Sequence, residues 1–320
     1  MGDISLKGRE ELLREPVEDV KICSDTTLKE LIRIYSNIHG FMADHIVRAI
    51  NILSEGLRKS NVRFISFTGN LIATGIRGIF AQAIREGLFN VVVTTCGAID
   101  HDIARGFKAK YYKGFFEADD SFLRKLDIHR LGNIYIPVES YDPTIEKVVH
   151  QVLDEVTQKR KEWSVYELLW EIGARIDDEN SILRAAYKKK APVFVPGWPD
   201  GAFGTALFTY SQLHRFKIDY FKDMSKLAEI VFTNKGKSTA LIVGGGISKH
   251  HVIWWSQFMG GLDYVVYITT AVEYDGSLSG AHPREAISWG KLKPTSKHVV
   301  VYGDATIIVP LILGVLISES

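Results

Sequence analysis

Residues 240–251 read Ala-Leu-Ile-Val-Gly-Gly-Gly-Ile-Ser-Lys-His-His, a short apolar run followed at once by three glycines. The apolar run predicts a strand buried on both faces, and a helix is expected to open at Ser248. Glycines between a strand and a helix let a phosphate approach the backbone amides at the positive end of the helix. A tight strand-to-helix turn explains Gly244, Gly245 and Gly246 equally well.

The same alternation of a short apolar run with a helical pattern recurs along the chain. Further strands are predicted over 62–68, 90–95, 133–137, 193–195, 264–268 and 298–302. Apolar residues at three- and four-residue spacing predict helices over 28–58, broken near Gly40, and over 76–86, 145–162, 166–176 and 182–190. This order predicts an α/β fold, a doubly wound and largely parallel Rossmann-like sheet with an N-terminal helical arm. We expect one domain over residues 1–320, with residues 1–25 as the arm.

The composition argues against several functional classes. With Lys+Arg 39 against Asp+Glu 38, the 320-residue chain lacks the basic excess of a nucleic-acid-binding protein. Two cysteines are too few for a disulfide framework, and no ligand set stands at metal spacing, so no metal is expected. The longest apolar run, 306–317, contains Pro310 and is shorter than the ~20 residues of a membrane span, which predicts a buried C-terminal helix. The N-terminus lacks a signal-peptide pattern, and a cytoplasmic enzyme with no membrane partner is expected.

Polar residues follow several predicted strands, at the sheet edge where ligands of such folds bind. His250 and His251 point in different directions, so at most one of them serves a common site as a proton donor or acceptor. Thr269, Thr270 and residues 273–280 combine hydroxyls, carboxylates and glycines, and predict a ligand-binding loop. Asp304 is expected to be either the N-cap of the last helix or a ligand to a ribose or an amine.

The stretch Glu285-Ala-Ile-Ser-Trp-Gly-Lys291 places a lysine after a helical turn. Glu285 and Trp289 share a helical face, and Gly290 ends the turn and presents Lys291. A lysine beside an indole in an apolar setting has its charged form disfavoured and becomes a nucleophilic amine. Since a lysine side chain in water has a pKa of about 10.4, such reactivity requires burial. A structural lysine that extends past Trp289 fits the spacing as well.

Together these motifs resemble the deoxyhypusine synthase family. The order and spacing match in the stretches 243–251, 264–280, 285–291 and 302–305. Residues 70–75, 94–95, 130–133, 200–201 and 14–17 are similar to that family as well.

The resemblance implies an NAD-dependent aminobutyl transfer. In the family, spermidine is oxidised by NAD, the imine loses 1,3-diaminopropane, and the remaining four-carbon unit is held as an imine on a lysine. The unit passes to a lysine of translation initiation factor 5A, and the bound NADH reduces the new imine. The resemblance also implies a homotetramer with active sites shared across a dimer interface.

Site residues are implied by the family's motifs, position by position. The catalytic residues are Lys291, which carries the imine, and His250, which polarises or deprotonates the polyamine. The polyamine-binding positions are Asp100, His101, Thr205, Trp254, Tyr267, Gly276, Ser277, Leu278, Glu285 and Trp289. The positions around NAD are Gly69, Asn70, Thr95, Cys96, Gly97, Asp200, Gly244, Gly245, Gly246, Thr270, Asp275, Ser279, Asp304 and Ala305.

Four positions depart from the family's pattern: Thr205 and Leu278 replace aspartates, Trp254 replaces an asparagine, and His101 replaces a glutamate. Three of them contact the amines of spermidine in the family, and losing anionic partners weakens binding of a cation. The leading interpretation is a deoxyhypusine synthase with altered polyamine contacts. The alternatives are aminobutyl transfer to a small amine, as in homospermidine formation, use of another polyamine such as agmatine, and a non-enzymatic NAD- or polyamine-binding protein.

Overall fold

The computed structural model describes residues 13–319. Its strands are β1 (Ser60–Phe67), β2 (Val91–Val93), β3 (Tyr112–Lys113), β4 (Ile128–Leu131), β5 (Ile134–Pro137), β6 (Glu162–Trp163), β7 (Val193–Phe194), β8 (Lys217–Ile218), β9 (Lys237–Val243), β10 (Leu262–Thr269) and β11 (Leu292–Tyr302). Its α-helices are α1 (Leu28–Ile38), α2 (Phe41–Lys59), α3 (Gly69–Ile72), α4 (Arg77–Arg85), α5 (Cys96–Gly106), α6 (Asp120–Lys125), α7 (Asp142–Val156), α8 (Val165–Arg175), α9 (Ile182–Lys189), α10 (Ala202–Leu213), α11 (Tyr220–Phe232), α12 (Gly246–Ser256), α13 (Pro283–Ser288) and α14 (Ala305–Ser318). Short 3-10 turns lie at Val138–Ser140, Gln257–Met259 and Glu273–Asp275.

Six parallel strands form the central sheet, in the order β11–β10–β9–β1–β2–β7. The chain builds outward from β1 through β2 to β7, then returns to the other side of β1 and adds β9, β10 and β11. The strand order therefore reverses between β1 and β9, which pair along nearly their whole length. Such a reversal leaves a crevice at the carboxyl ends of the two strands, where doubly wound folds bind ligands.

Side chains of each central strand alternate between two apolar cores. Leu241 and Val243 of β9 join the larger core with α2, α4 and α14, whereas Ala240 and Ile242 join the second core with α11 and α12. Because both faces of the sheet are covered, nearly every position of β9 and β10 is buried. The predicted α/β, doubly wound and largely parallel Rossmann-like sheet is confirmed.

Most predicted elements differ from the observed ones by one to three residues at an end, and three differ more in extent or in partner. The strand predicted over 133–137 forms β5, which lies outside the central sheet and pairs antiparallel with β3 and β4. β11 begins at Leu292 rather than at residue 298, because Leu292 already pairs with Leu262 of β10 before the register shifts to Tyr264 and Lys297. The helix predicted over 145–162 spans Asp142–Val156. It ends there because residues 158–162 are all polar and cannot continue the buried stripe.

The N-terminal helices pack onto the sheet. Thr27 and Glu30 form a capping box that starts α1, and the chain turns at His39 and Gly40 before α2, as predicted. Of the predicted arm, residues 1–12 lie outside the described residues, and residues 13–25 contain neither helix nor strand. The helical part of this region therefore begins at Leu28, which packs against the larger core.

The apolar run 306–317 forms most of α14, the expected buried C-terminal helix, with Pro310 inside it. Within residues 13–319, no helix is long and apolar enough to cross a membrane.

Candidate active site

The crevice between β1 and β9 is shaped by backbone conformations that favour glycine. Gly244 follows β9 with φ +85°, and a Cβ there would lie 2.9 Å from Thr68 Cγ2 at the end of β1. Gly246, at the start of α12, has φ +65°. The glycines thus form a tight turn, and the same turn brings bare backbone to the edge of the crevice.

A cavity of about 560 Å³ opens at this edge of the sheet. The ends of β1, β9, β10 and β11 and the loop after β10 line it. Eight of the predicted NAD-binding residues line this cavity: Asn70, Gly244, Gly245, Thr270, Asp275, Ser279, Asp304 and Ala305. Ser277, predicted to bind the polyamine, lines it too.

The loop of residues 270–280 closes one side of this cavity, which we call the crevice cavity. Thr269 Oγ1 donates a hydrogen bond to the Ser279 carbonyl oxygen (3.2 Å), which ties the loop to the end of β10. The Ser277 amide donates to Asp275 Oδ1 (2.6 Å), and the hydrogen bonds from Ser277 lower the pKa of this carboxyl. A Cβ on Gly245 would collide with Ser279, so the loop rests directly on the glycine turn.

Asp304 is the N-cap of α14, the first of the two alternatives. Its Oδ1 accepts hydrogen bonds from the Thr306 amide (2.7 Å) and hydroxyl (2.8 Å). Its Oδ2 makes no hydrogen bond to any residue in the described part of the chain. Asp304 also lines the crevice cavity, so the N-cap role leaves one of its carboxylate oxygens unused at the edge of that cavity.

The other predicted NAD-binding residues lie outside the lining of this cavity: Gly69, Thr95, Cys96, Gly97, Asp200 and Gly246. The backbones of Gly69 and Gly97 touch, since a Cβ on Gly69 would lie 2.8 Å from the Gly97 carbonyl carbon. Cys96 is buried, and burial together with the charges of Asp100 and Asp200 raises the pKa of its thiol. Gly246 lies at the start of α12, and the other five residues follow β1, β2 and β7.

The predicted catalytic lysine lies in the short segment between α13 and β11. Gly290 has φ +67° and turns the chain, after which the Lys291 amide donates to the Ala286 carbonyl oxygen (3.0 Å). Lys291 Nζ lies 5.0 Å from the centre of the Trp289 ring. Lys291 is half-buried and Trp289 is 65% exposed, so the indole covers the amine on one side only within a single chain.

His250 lies close enough to Lys291 for the two charges to interact. Burial, and secondarily the positive charge of Lys291, lower the pKa of His250. The histidine is therefore neutral at pH 7 and able to accept a proton. The rings of His250 and Trp254 lie 5.8 Å apart at an angle of 21°, one turn apart on α12.

Lys249 is a second buried amine that the sequence reasoning missed. Its side chain is only 1% exposed, and its Nζ donates to the Ala281 carbonyl oxygen (2.9 Å) from a position 4.1 Å from the centre of the Tyr267 ring. Burial lowers the pKa of Lys249 to about 8, against the opposing charge of Glu285. The available signal was its spacing: Lys249 precedes Val252 and Ile253 by three and four residues, on the buried face of α12.

The structure places Tyr267 in the second core, beneath Lys249, rather than on a surface that a polyamine can reach. It is 1% exposed, and its hydroxyl has no hydrogen-bond partner among residues 13–319. Glu285 is exposed on α13, yet its charge acts on both Lys249 and Tyr267. Glu285 thus acts on Lys249, and Lys291 acts on His250, the next residue along α12.

Asp100 has a structural role at the start of α10. Its carboxylate accepts hydrogen bonds from the amides of Phe203 (2.7 Å) and Ala202 (3.1 Å) and from the Tyr141 hydroxyl (3.2 Å). It is 1% exposed, and this burial raises its pKa to about 6. The carboxylate therefore caps the start of α10, and its role as a polyamine contact stays a prediction.

The remaining predicted polyamine positions are divided between two regions. His101 is buried, its Nδ1 lies 2.9 Å from the Tyr111 hydroxyl, and burial lowers its pKa to about 4. Thr205 is exposed on α10, whereas Gly276 and Leu278 belong to the loop of residues 270–280. In the described chain, no hydrogen bond, ion pair or ring contact joins the group of Asp100, His101, Asp200 and Thr205 to the group of His250, Glu285 and Lys291.

Across residues 13–319, no group of three or more His, Cys, Asp or Glu side chains is arranged to hold a metal ion.

Comparison with known proteins matches the family model described as "Deoxyhypusine synthase" over residues 30–316. A protein of Ignicoccus hospitalis named "Probable deoxyhypusine synthase" is 58% identical over 310 residues, which cover 95% of this chain and 96% of that protein. A protein of Sulfurisphaera tokodaii with the same name is 57% identical over 310 residues, covering 97% of this chain and 99% of that protein.

Among solved structures, one described as "a putative deoxyhypusine synthase from Entamoeba histolytica" matches with a TM-score of 0.62. The match covers 93% of this chain and 95% of that chain at 20% identity, so it concerns the fold alone.

Proposed function

The chain belongs to the deoxyhypusine synthase family and is an enzyme of this type, and on that basis we propose its reaction. The proposed reaction is the NAD-dependent transfer of the aminobutyl group of spermidine, through an imine on Lys291, to a lysine of translation initiation factor 5A. A reaction on a translation factor would place the enzyme in the cytoplasm.

The observation that carries this proposal is the crevice cavity. It lies where the strand order reverses, and its bare glycine backbone, its hydroxyls and the free Asp304 oxygen suit the phosphates and ribose of a dinucleotide. NAD supplies hydride acceptance at the start of the reaction and, once reduced, hydride return at its end. Asn70, Gly245 and Ala305 would hold it, and Asp275 and Ser279 would close over it.

Lys291 is the proposed nucleophile. Its amine, beside the Trp289 ring, attacks the imine carbon of the oxidised polyamine, and 1,3-diaminopropane leaves as the aminobutyl unit is retained on the lysine. Neutral His250, which lies close enough to feel the charge of Lys291, accepts a proton from an ammonium of the substrate before the substrate is oxidised. Glu285 supplies an anionic partner for an amine of the polyamine.

The polyamine contacts favour spermidine less strongly than a carboxylate-lined site would. Thr205, Trp254 and Leu278 supply a hydroxyl, an indole and an alkyl group, and Asp100 is occupied by α10. An indole face holds an ammonium by about 0.5–2 kcal/mol, which replaces only part of a carboxylate's contribution. The second candidate function therefore keeps NAD and Lys291 but uses a small amine as acceptor, or agmatine in place of spermidine.

A complete site is proposed to need a partner subunit, in a homotetramer. The group of Asp100, His101, Asp200 and Thr205 has no contact with Lys291 within one chain, and Trp254 and Trp289 are 43% and 65% exposed. A partner's surface packed over these indoles would remove water from the half-buried amine and so favour its neutral form.

The test is incubation of the enzyme with NAD, spermidine labelled in its aminobutyl part, and translation initiation factor 5A. Label on the factor supports the leading proposal, and label only on free amines supports the second candidate. Borohydride trapping in the absence of an acceptor should leave the label on Lys291. If no adduct forms and no label moves, the enzymatic proposal is wrong, and NAD or polyamine binding would be the remaining function.

A further inference from the structure

One exposed ion pair connects the loop of the crevice cavity to the helix that leads to Lys291. Arg284 Nη2 donates to both carboxylate oxygens of Glu273, at 2.6 and 2.7 Å. Glu273 lies in the 3-10 turn of the loop 270–280, and Arg284 lies in α13. Among the described residues, this is the single ion pair that the loop makes.

Each side of this ion pair carries a different part of the site. Asp275 and Ser279, in the loop that holds Glu273, line the crevice cavity. Glu285 is the next residue after Arg284, and α13 ends three residues before Lys291. A displacement of the loop is therefore transmitted through this ion pair to α13, and so to Glu285 and Lys291.

The hydrogen bonds at the ends of the loop and within it do not join the middle of the loop to α13. Thr269 and Ser279 fasten the loop to β10, and the Asp275–Ser277 hydrogen bond lies within the loop itself. Lys249 fixes the Ala281 carbonyl, at the point where the loop ends and α13 approaches. Both ends of the segment are thus anchored, and its middle is tied to α13 through Glu273 and Arg284.

We infer that Glu273 and Arg284 are positioning residues that couple occupation of the crevice cavity to polyamine binding near Lys291. This inference rests on the proposed function, since it takes NAD and a polyamine as the two ligands. A dinucleotide that orders the loop also orders α13 through the ion pair, so a polyamine that binds afterwards meets Glu285 and Lys291 already in place. By linkage, the polyamine must strengthen dinucleotide binding by the same factor.

The test measures spermidine affinity by calorimetry with and without NADH, which forms the ternary complex without oxidising the polyamine. The proteins compared are the parent, Glu273→Gln, Arg284→Gln and the reversed pair Glu273→Arg/Arg284→Glu. We expect NADH to tighten spermidine binding in the parent and expect that enhancement to shrink about threefold in either single variant, the size expected of an exposed ion pair. The reversed pair should restore it.

Asp120→Asn is the matched control. Asp120, the first residue of α6, accepts two hydrogen bonds from Arg130 of β4, at 2.6 and 2.7 Å, and neither residue lines the crevice cavity. Its loss should leave the enhancement unchanged.

The outcomes separate this inference from the function on which it rests. If the parent binds neither NADH nor spermidine, the proposed function fails and the inference falls with it. If the parent binds both but shows no enhancement, or if the enhancement is the same in all variants, the inference alone is wrong. A loss that the reversed pair does not restore, or a fall in Tm with an unchanged enhancement, would show that the pair has only a structural role.

Discussion

Lys291 must lose its proton before it can attack an imine, and this requirement gives the sharpest prediction at the scale of single residues. Lys291→Arg keeps the positive charge in a group that is never deprotonated. We expect imine trapping and aminobutyl transfer to fall to roughly a hundredth of the parent's or less, with NAD affinity within about twofold. Borohydride reduction followed by peptide mass spectrometry measures the adduct, and calorimetry measures NAD affinity.

Lys249 provides the control for this experiment, because it is the other amine beside the site and burial lowers its pKa to about 8. In Lys249→Met, whatever adduct forms should still map to Lys291. An adduct on Lys249 in the parent, or substantial transfer by Lys291→Arg, would show that Lys291 does not carry the imine.

The interaction between His250 and Lys291 predicts a pH effect with a definite sign. The pKa of His250 is lowered by burial and by the charge of Lys291, so Lys291→Ala should raise it toward the ordinary value near 6.5. An NMR titration of the His250 ring in both proteins measures this. In the parent, transfer activity should decline as the pH falls through the lowered pKa, since His250 then becomes charged. An unchanged pKa in Lys291→Ala would mean that the two groups do not share a site.

The substituted polyamine positions predict a gain of function. Thr205→Asp and Leu278→Asp restore two carboxylates, and Trp254→Asn removes an indole from the side of α12 that His250 occupies. The triple variant should bind spermidine at least about tenfold more tightly, since each hydrogen bond to a charged group contributes about 1.5–3 kcal/mol net. Calorimetry with NAD present measures it. If the triple variant binds no better than the parent, the polyamine lies elsewhere in this protein.

At the scale of elements, the crevice cavity depends on how closely the loop of residues 270–280 approaches the glycine turn. A Cβ on Gly245 would collide with both the backbone and the side chain of Ser279. Gly245→Ala should therefore displace the loop and weaken NAD binding on the order of tenfold or more, with little change in Tm. Gly75→Ala is the control, because a Cβ at Gly75 meets no atom within 4 Å. Equal NAD affinity in the two variants would place the dinucleotide outside this cavity.

The elements also show what the sequence could predict. Strands buried on both faces, such as residues 240–243, are continuous apolar runs, and such runs can be recognised from the local sequence alone. The turn at Gly290 could be predicted because glycine favours the positive φ that it adopts there. The small sheet of β3, β4 and β5 did not, because which strands pair depends on contacts distant in sequence. The hydrogen-bond partners of Lys249 and Asp100 could not be predicted for a similar reason, since Ala281 and the amides of α10 lie 32 and 102 or more residues away in sequence.

At the scale of the whole molecule, the arrangement of the strands separates the predicted site into two halves. Lys291, Glu285 and the crevice cavity belong to one half, on β9, β10 and β11, together with the adjoining end of β1. Asp200 and Thr205 follow β7, at the opposite edge of the central sheet from β11. If one active site needs both halves, the simplest source of the second half is a partner chain, in a two-fold arrangement that creates two equivalent sites.

This arrangement predicts which pairs of inactive chains restore activity when mixed. In a dimer of one Lys291→Ala chain and one Asp200→Ala chain, one site carries both defects and the other carries neither. After random exchange half of the dimers are mixed, so about a quarter of the parent's activity should return. Lys291→Ala mixed with Asp304→Ala should return almost none, because Lys291 and Asp304 serve the same half of the site and every site then keeps one defect. Exchange of subunits is verified by native mass spectrometry, and activity is measured as label transferred from spermidine. Recovery in both mixtures would place Asp304 and Lys291 in different halves, and recovery in neither, with exchange verified, would mean that each chain holds a complete site.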